Sequence, residues 1–374
     1  MLGFCFDHCA RWSVSPWRAF TWLVVVGLFL GEAATPAAAQ SDLPVVHDPV
    51  MAKQGDTYYL FCTGRGVDIW TSTNLKEWRR AGSVFERSPE WVKEMLPRFR
   101  NHVWAPDIFH DGDRYYLYYS VSAFGRNNSA IGVVTNTTLN PEDEAYEWVD
   151  HGMVVQSVPG RDMWNAIDAA VFRDAEGTPW MAFGSHWGGL KLCKLSEELT
   201  ALSEPQEWRT IAARHRYWKL DEFDAGDSAN PELDYDELYN PKLTELNRAS
   251  QSGAIEAPFI FRHDGYYYLF ASWDRCCRGV DSTYKVVVGR SKDVKGPYLD
   301  REGESMVNGG GSLVVQGVEQ SDRWAALGHN AVYTFDGTDY LICHAYDKQD
   351  EGRPKLFMRP IEWDPQGWPV VNVD

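Results

Sequence analysis

Short runs of aromatic and β-branched residues alternate along the chain with polar, glycine-bearing turns. YYLFC from Tyr58, YYLYYSV from Tyr115, YKVVVGR from Tyr284 and AVYTF from Ala331 are typical runs, and Gly55, Gly112, Gly177, Gly265 and Gly337 mark the turns. Runs of this length, bounded by DG, GD and GT pairs, predict strands joined by tight hairpins. Strong helical periodicity is nearly absent. SPEWVKEMLP from Ser88 is the best short helical candidate, with a serine to cap its start and a proline to stop it. The predicted class is all-β.

The hairpins form an internal repeat. Its five units are HDPVMAKQGDTYYLFCTG from His47, VWAPDIFHDGDRYYLYYSVS from Val103, AIDAAVFRDAEGTPWMAFGSHW from Ala166, AIEAPFIFRHDGYYYLFASWD from Ala254 and GHNAVYTFDGTDYLICHAYD from Gly328. Successive turn glycines lie 57, 65, 88 and 72 residues apart. That is room for a blade of four antiparallel strands plus loops, and radial repetition of blades protects sheet edges. Outer-strand signals follow the hairpins, as in SAIGVVTN from Ser129 and LKLCKLS from Leu190. The pattern predicts a five-bladed β-propeller. A polar, acid-rich stretch at about residues 214–252 interrupts the rhythm and reads as a loop insertion, either shaping a cleft or simply solvated.

The first 39 residues read as an export signal. Arg11 and Arg18 precede a 12-residue apolar run from Ala19 to Leu30, and Ala37, Ala38 and Ala39 offer a small-residue cleavage site. The run falls short of the roughly 20 apolar residues that span a bilayer. An uncleaved anchor is the alternative. Residues 40–374 are then expected to be a secreted, extracellular or periplasmic single-domain monomer, free of the membrane. A formal net charge of −17 argues against nucleic acid and anionic lipid as partners and is compatible with a neutral substrate. Five cysteines remain beyond residue 39, namely Cys62, Cys193, Cys276, Cys277 and Cys343, too sparse for a disulfide framework and without zinc-site spacing. Adjacent Cys276 and Cys277 are expected either as a vicinal disulfide or as two thiols.

A chemically capable residue stands at the entrance of each repeat: Asp48, Trp104, Asp168, Glu256 and His329. Inner strands of a propeller begin on one face around the axis, so equivalent positions converge. Three carboxylates around one pocket cannot all remain ordinary anions, because repulsion and desolvation push their pKa values apart. Separated pKa values are what a glycosidic acid/base pair requires. Trp104, Phe124 and Trp187, at or just after inner-strand segments, are the candidate pocket aromatics.

Taken together, HDP at His47, WAPDI at Trp104, SAFGRNNSAIGV at Ser122, NAIDAAVF at Asn165, GSHWGGLKL at Gly184, AIEAPFIF at Ala254, CCRGVDSTYKVVVGRS at Cys276, GHNAVY at Gly328 and HAYD at His344 resemble family 43 glycoside hydrolases. Within that family the chain is similar to endo-1,5-α-L-arabinanases. The resemblance implies an inverting mechanism on arabinan or arabino-oligosaccharides, with Asp48 as general base, Glu256 as general acid and Asp168 raising the pKa of Glu256. It implies substrate contacts from His47, Trp104, Phe124, Asn165, Ser185 and Trp187, and no organic cofactor. His329 matches an axial histidine expected to hold a hydrated metal ion, usually calcium. One imidazole is a poor ligand set for calcium, so waters must complete the shell. The long insertion leaves open an exo-acting arabinanase, an α-L-arabinofuranosidase or a β-xylosidase. A non-catalytic carbohydrate-binding propeller is the alternative of another class, although a lectin gains nothing from an acid/base set.

Overall fold

The computed structural model describes residues 43–214, 254–317 and 319–374. The expected export signal and residues 215–252 of the expected insertion lie outside the described residues.

Each repeat hairpin becomes the inner half of one sheet, and the five sheets form a five-bladed β-propeller. Blade I runs Val50–Gln54, Thr57–Cys62, Asp68–Ser72 and Arg79–Ser83 from the axis outward. Blade II runs His102–Asp111, Arg114–Val121, Ser129–Asn136 and Val149–Ser157, with the short strand Gly64–Arg65 added beside its first. Blade III has Ala170–Arg173, Pro179–Phe183, Leu190–Lys194 and Trp208–Ala212, and blade IV has Ile255–His263, Tyr266–Trp273, Lys285–Ser291 and Ser312–Gln316. Blade V contributes only three strands of its own, Trp324–Phe335, Thr338–Asp347 and Arg353–Pro360. Its fourth place is taken by the chain ahead of blade I: Val45 bridges Lys355, Leu356 N–H donates to Pro44 O at 3.0 Å, and Val46 N–H donates to Pro354 O at 3.3 Å. Each inner strand packs against the next, and the last against the first.

Stacked blades bury both faces of their central strands, which is why those strands read as nearly continuous apolar runs. Phe61, Leu117, Tyr119 and Val134 pack in the seam between blades I and II, and Tyr268, Phe270, Val286 and Phe357 in that between IV and V. Burying a side chain of this size contributes roughly 1.5–3 kcal/mol relative to exposure. The short helix Glu90–Met95 forms in SPEWVKEMLP, but the expected serine cap does not. Pro89 occupies the N-cap, so the Ser88 hydroxyl lies one residue too early and donates to Asn101 Oδ1 instead.

The feature that builds the site repeats at the start of every inner strand. Asp48 (φ 54°), Ala105 (39°), Asp168 (62°), Ala257 (53°) and His329 (57°) are all left-handed, a region that non-glycine residues visit rarely. Four of their N–H groups are taken by a side chain at the end of the preceding blade's second strand. Asp48 N–H donates to His344 Nδ1 (3.1 Å), Ala105 to Thr63 Oγ1 (2.7 Å), Asp168 to Ser120 Oγ (3.1 Å) and His329 to Ser272 Oγ (2.8 Å). Trp104 and Glu256 therefore stand one residue before the shared position, which Ala105 and Ala257 occupy. The offset escapes a count from the turn glycine because the glycine comes first in the Gly55 and Gly112 turns and second in the Gly265 and Gly337 turns, while blade III has a longer loop.

Candidate active site

Asp48 is buried at the inner end of blade I, with both carboxylate oxygens occupied. Oδ1 lies 2.7 Å from His47 Nδ1, 3.0 Å from His329 Nδ1 and 3.5 Å from His344 Nδ1, while Oδ2 accepts from Thr63 Oγ1 at 2.5 Å. Burial alone is the largest influence and would raise its pKa. The surrounding histidines, His329 first, outweigh it and hold the carboxyl well below the usual range. His47 responds in the opposite sense: burial disfavours its charge, but the Asp48 carboxylate raises its pKa. Burial drives His344 well down, and its Nδ1, which accepts the Asp48 N–H, is unprotonated. Tyr346 ties this group together, its hydroxyl lying 3.1 Å from His47 Nε2 and 3.2 Å from His344 Nε2 while accepting the Cys277 N–H at 2.6 Å.

Glu256 stands on the inner strand of blade IV, and His47 and Asp168 feel its charge together with that of Asp48. Tyr284 donates to its Oε1 at 2.6 Å and Ser185 to its Oε2 at 2.7 Å, with His186 Nε2 3.8 Å from Oε2. Asp168, also buried, accepts the Ala257 N–H at 3.4 Å. Desolvation, followed by repulsion from Glu256 and Asp48, pushes its pKa well above the ordinary carboxylate value. One carboxyl shifted down and another shifted up in the same pocket have well-separated proton affinities, which acid/base chemistry requires.

The other expected positions divide. His47 and Ser185 join the carboxylates directly, as above. Asn165 is buried and its Oδ1 accepts from Ser129 Oγ at 2.6 Å, so it serves the blade II–III seam. Trp104 is half-buried and its indole N–H donates to His102 Nδ1 at 2.8 Å. Trp187 lies half-buried on the loop after the second strand of blade III, and Phe124 is 83% exposed on the loop after that of blade II. Cys276 and Cys277 are disulfide-bonded, with Cys277 Sγ 3.7 Å from His47 Nε2.

Thr63, Tyr284, His344 and Tyr346 were not anticipated as site residues. A signal existed for two of them, Thr63 and His344: counted six residues from the start of each second strand, the chain carries Thr63, Ser120, Ser185, Ser272 and His344, all small hydroxyls but the last. Tyr284 has no such signal.

His329 is the candidate metal anchor. Its ring is buried, and burial lowers its pKa, favouring the neutral form that ligation requires. Nδ1 faces Asp48, and no described hydrogen bond engages Nε2. Among the described residues His329 belongs to no cluster of three or more metal-ligating side chains. The donor set therefore fits a largely hydrated ion and does not fit a dehydrated one.

The chain has relatives among known proteins over nearly its whole length. The chain is 49% identical to the extracellular exo-α-(1→5)-L-arabinofuranosidase ArbA of Cellvibrio japonicus, over 94% of this chain and 92% of that one. It is 35% identical to extracellular endo-α-(1→5)-L-arabinanase 1 of Bacillus subtilis, over 92% and 94%. The structure of a Cellvibrio cellulosa α-L-arabinanase complexed with arabinohexaose superposes with a TM-score of 0.77 at 49% identity, covering 88% of this chain and 96% of that one. The family model for glycosyl hydrolases family 43 matches residues 43–369, so the chain belongs to that family and is a glycosidase with arabinanase relatives.

Proposed function

We propose that the protein is an exported hydrolase of α-1,5-linked L-arabinofuranosyl bonds in arabinan and arabino-oligosaccharides, acting by inversion. The observation that carries the chemistry is the contrast between Asp48 and Asp168, two buried carboxyls whose pKa values are driven in opposite directions. Asp48, kept ionised by His329 and His47, receives a proton from the attacking water as that water bonds the anomeric carbon. Glu256 delivers its proton to the departing glycosidic oxygen as the carbon–oxygen bond breaks. An oxocarbenium-like transition state makes the incoming water acidic, so a weakly basic carboxylate suffices. Asp168, whose charge is disfavoured, sits beside Glu256 and keeps the pair from ionising fully. A hydrated cation, calcium by expectation, would be held through His329 Nε2 and would supply a fixed positive charge and ordered waters beneath the carboxylates.

For the mode of cleavage we propose exo action, because the exo-acting relative shares 49% identity where the endo-acting one shares 35%. Endo cleavage is the second reading, supported by that endo relative. Export is supported by the extracellular naming of both relatives and by the basic and apolar pattern ahead of residue 40. Chromatography of products from linear arabinan over time tests the reading: a single short product from the first minutes supports exo action, and a ladder of oligomers supports endo. Asp48→Ala and Glu256→Ala should each lower turnover of linear arabinan by about 10³-fold or more. Full activity in either variant would overturn the assignment.

A further inference from the structure

Ser185 breaks the pattern of its four counterparts. Thr63, Ser120, Ser272 and His344, at the same place in blades I, II, IV and V, each accept the left-handed N–H of the next blade. Ser185 stands where the N–H of Ala257 should find its acceptor, yet its hydroxyl donates to Glu256 Oε2 at 2.7 Å. The Ala257 N–H goes to Asp168 Oδ2 instead. This exchange is possible because Glu256 precedes the left-handed residue of its blade, whereas Asp48, Asp168 and His329 are themselves left-handed.

On the opposite side of Glu256, Tyr284 donates to Oε1 at 2.6 Å. Its ring is wholly buried among Ala325, Ala326, Tyr346 and Cys276, and it presses against Gly328 so closely that a Cβ there would meet Tyr284 Cδ1 at 2.1 Å. Burial keeps the phenol protonated and therefore a donor. The two hydroxyls grip both oxygens of one carboxylate, from blade III and from the loop entering the third strand of blade IV.

We propose that Ser185 and Tyr284 are positioning residues for proton delivery: they fix the Glu256 carboxyl toward the leaving oxygen, and Ser185 has been released from the scaffold role of its counterparts to do so. The proposal rests on the reading of Glu256 as general acid. It distinguishes Ser185 from a substrate contact, the role expected of it from the family resemblance, and from a brace between blades.

The consequence is a dependence on the leaving group. Misplacing a general acid slows departure of a poor leaving group by about 10²-fold, and hardly affects one that leaves without a proton. The test compares kcat and KM of the full chain and of Ser185→Ala and Tyr284→Phe on linear arabino-oligosaccharide, phenyl α-L-arabinofuranoside and its 2,4-dinitrophenyl counterpart. We expect kcat on the oligosaccharide and the phenyl glycoside to fall about 30- to 100-fold, with KM and the dinitrophenyl rate within about threefold of wild type. Melting temperatures provide the second readout. Ser272→Ala orphans a buried N–H and should lower the melting temperature by several degrees, whereas Ser185→Ala orphans none and should shift it by about 2 °C or less. Equal losses on both aryl glycosides, a rise in KM alone, or unchanged rates would overturn the proposal. Wild-type inactivity on arabino-oligosaccharide would instead overturn the substrate reading, and the two aryl glycosides would still decide the positioning role.

Discussion

At Asp48 a single residue carries three demands: a left-handed backbone, an N–H docked on another blade and a carboxylate held ionised by histidines. Aspartate tolerates the left-handed region better than most residues, as does histidine at 329, so chemistry and backbone agree there. Tyr284 poses the opposite case, since its role depends on the absence of a side chain elsewhere. Gly328 has no positive φ, and the three atoms nearest to a Cβ there all belong to the Tyr284 ring. Gly328→Ala should displace that ring, cost about 1–3 kcal/mol of stability through overpacking, and lower kcat on arabino-oligosaccharide at least tenfold. Denaturant titration and steady-state kinetics on one preparation check both effects, and unchanged kcat would sever the supposed link from Gly328 to Glu256. Neither the role of Tyr284 nor its need for Gly328 was legible in the sequence, because the tyrosine opens a strand run as many aromatics of the repeat do and the contact joins residues of different blades.

Among the elements, the hairpins could be read directly, since aromatic and β-branched runs with glycine turns have few other ways to fold. The entrances were legible to within one residue. What the sequence could not supply is the pairing between blades that turns Thr63, Ser120 and Ser272 into acceptors, because those partners lie 42 to 57 residues away. The loop that carries Ser185 shows how an element is held in place. Lys191, on the third strand of blade III, is buried and donates to Gly188 O and Thr210 Oγ1, both at 2.9 Å. Desolvation pushes its pKa down to about 7. In the unfolded chain the same amine keeps its proton to about pH 10.4. Between about pH 7 and 10 unfolding therefore takes up a proton, and this residue's contribution to stability rises with pH, by at most about 1.4 kcal/mol per pH unit. Lys191→Met removes that term. The stability difference between variant and wild type, measured by chemical denaturation at pH 7 and 9, should favour the variant more at pH 7; a difference independent of pH would contradict the buried-lysine account.

At the scale of the whole molecule, the propeller brings residues nearly 300 positions apart into one hydrogen-bonded group, as in the contact of Asp48 with His344. The blade V sheet completed by residues 44–46 places the start of the described chain beside its end, and thereby sets His47 and Asp48 against His329 and His344. The sequence repeat indicated convergence of this kind, but not which face each side chain would present or that the expected fourth strand of blade V would come from the other end of the chain. The proposed roles have one central consequence: if water activated by Asp48 attacks from the side opposite a leaving group protonated by Glu256, the configuration at the anomeric carbon reverses. Proton NMR of arabino-oligosaccharide hydrolysis in its first minutes, before mutarotation, measures this directly. The account predicts that the β-anomer of the product appears first and decays toward the equilibrium mixture; initial release of the α-anomer would contradict it.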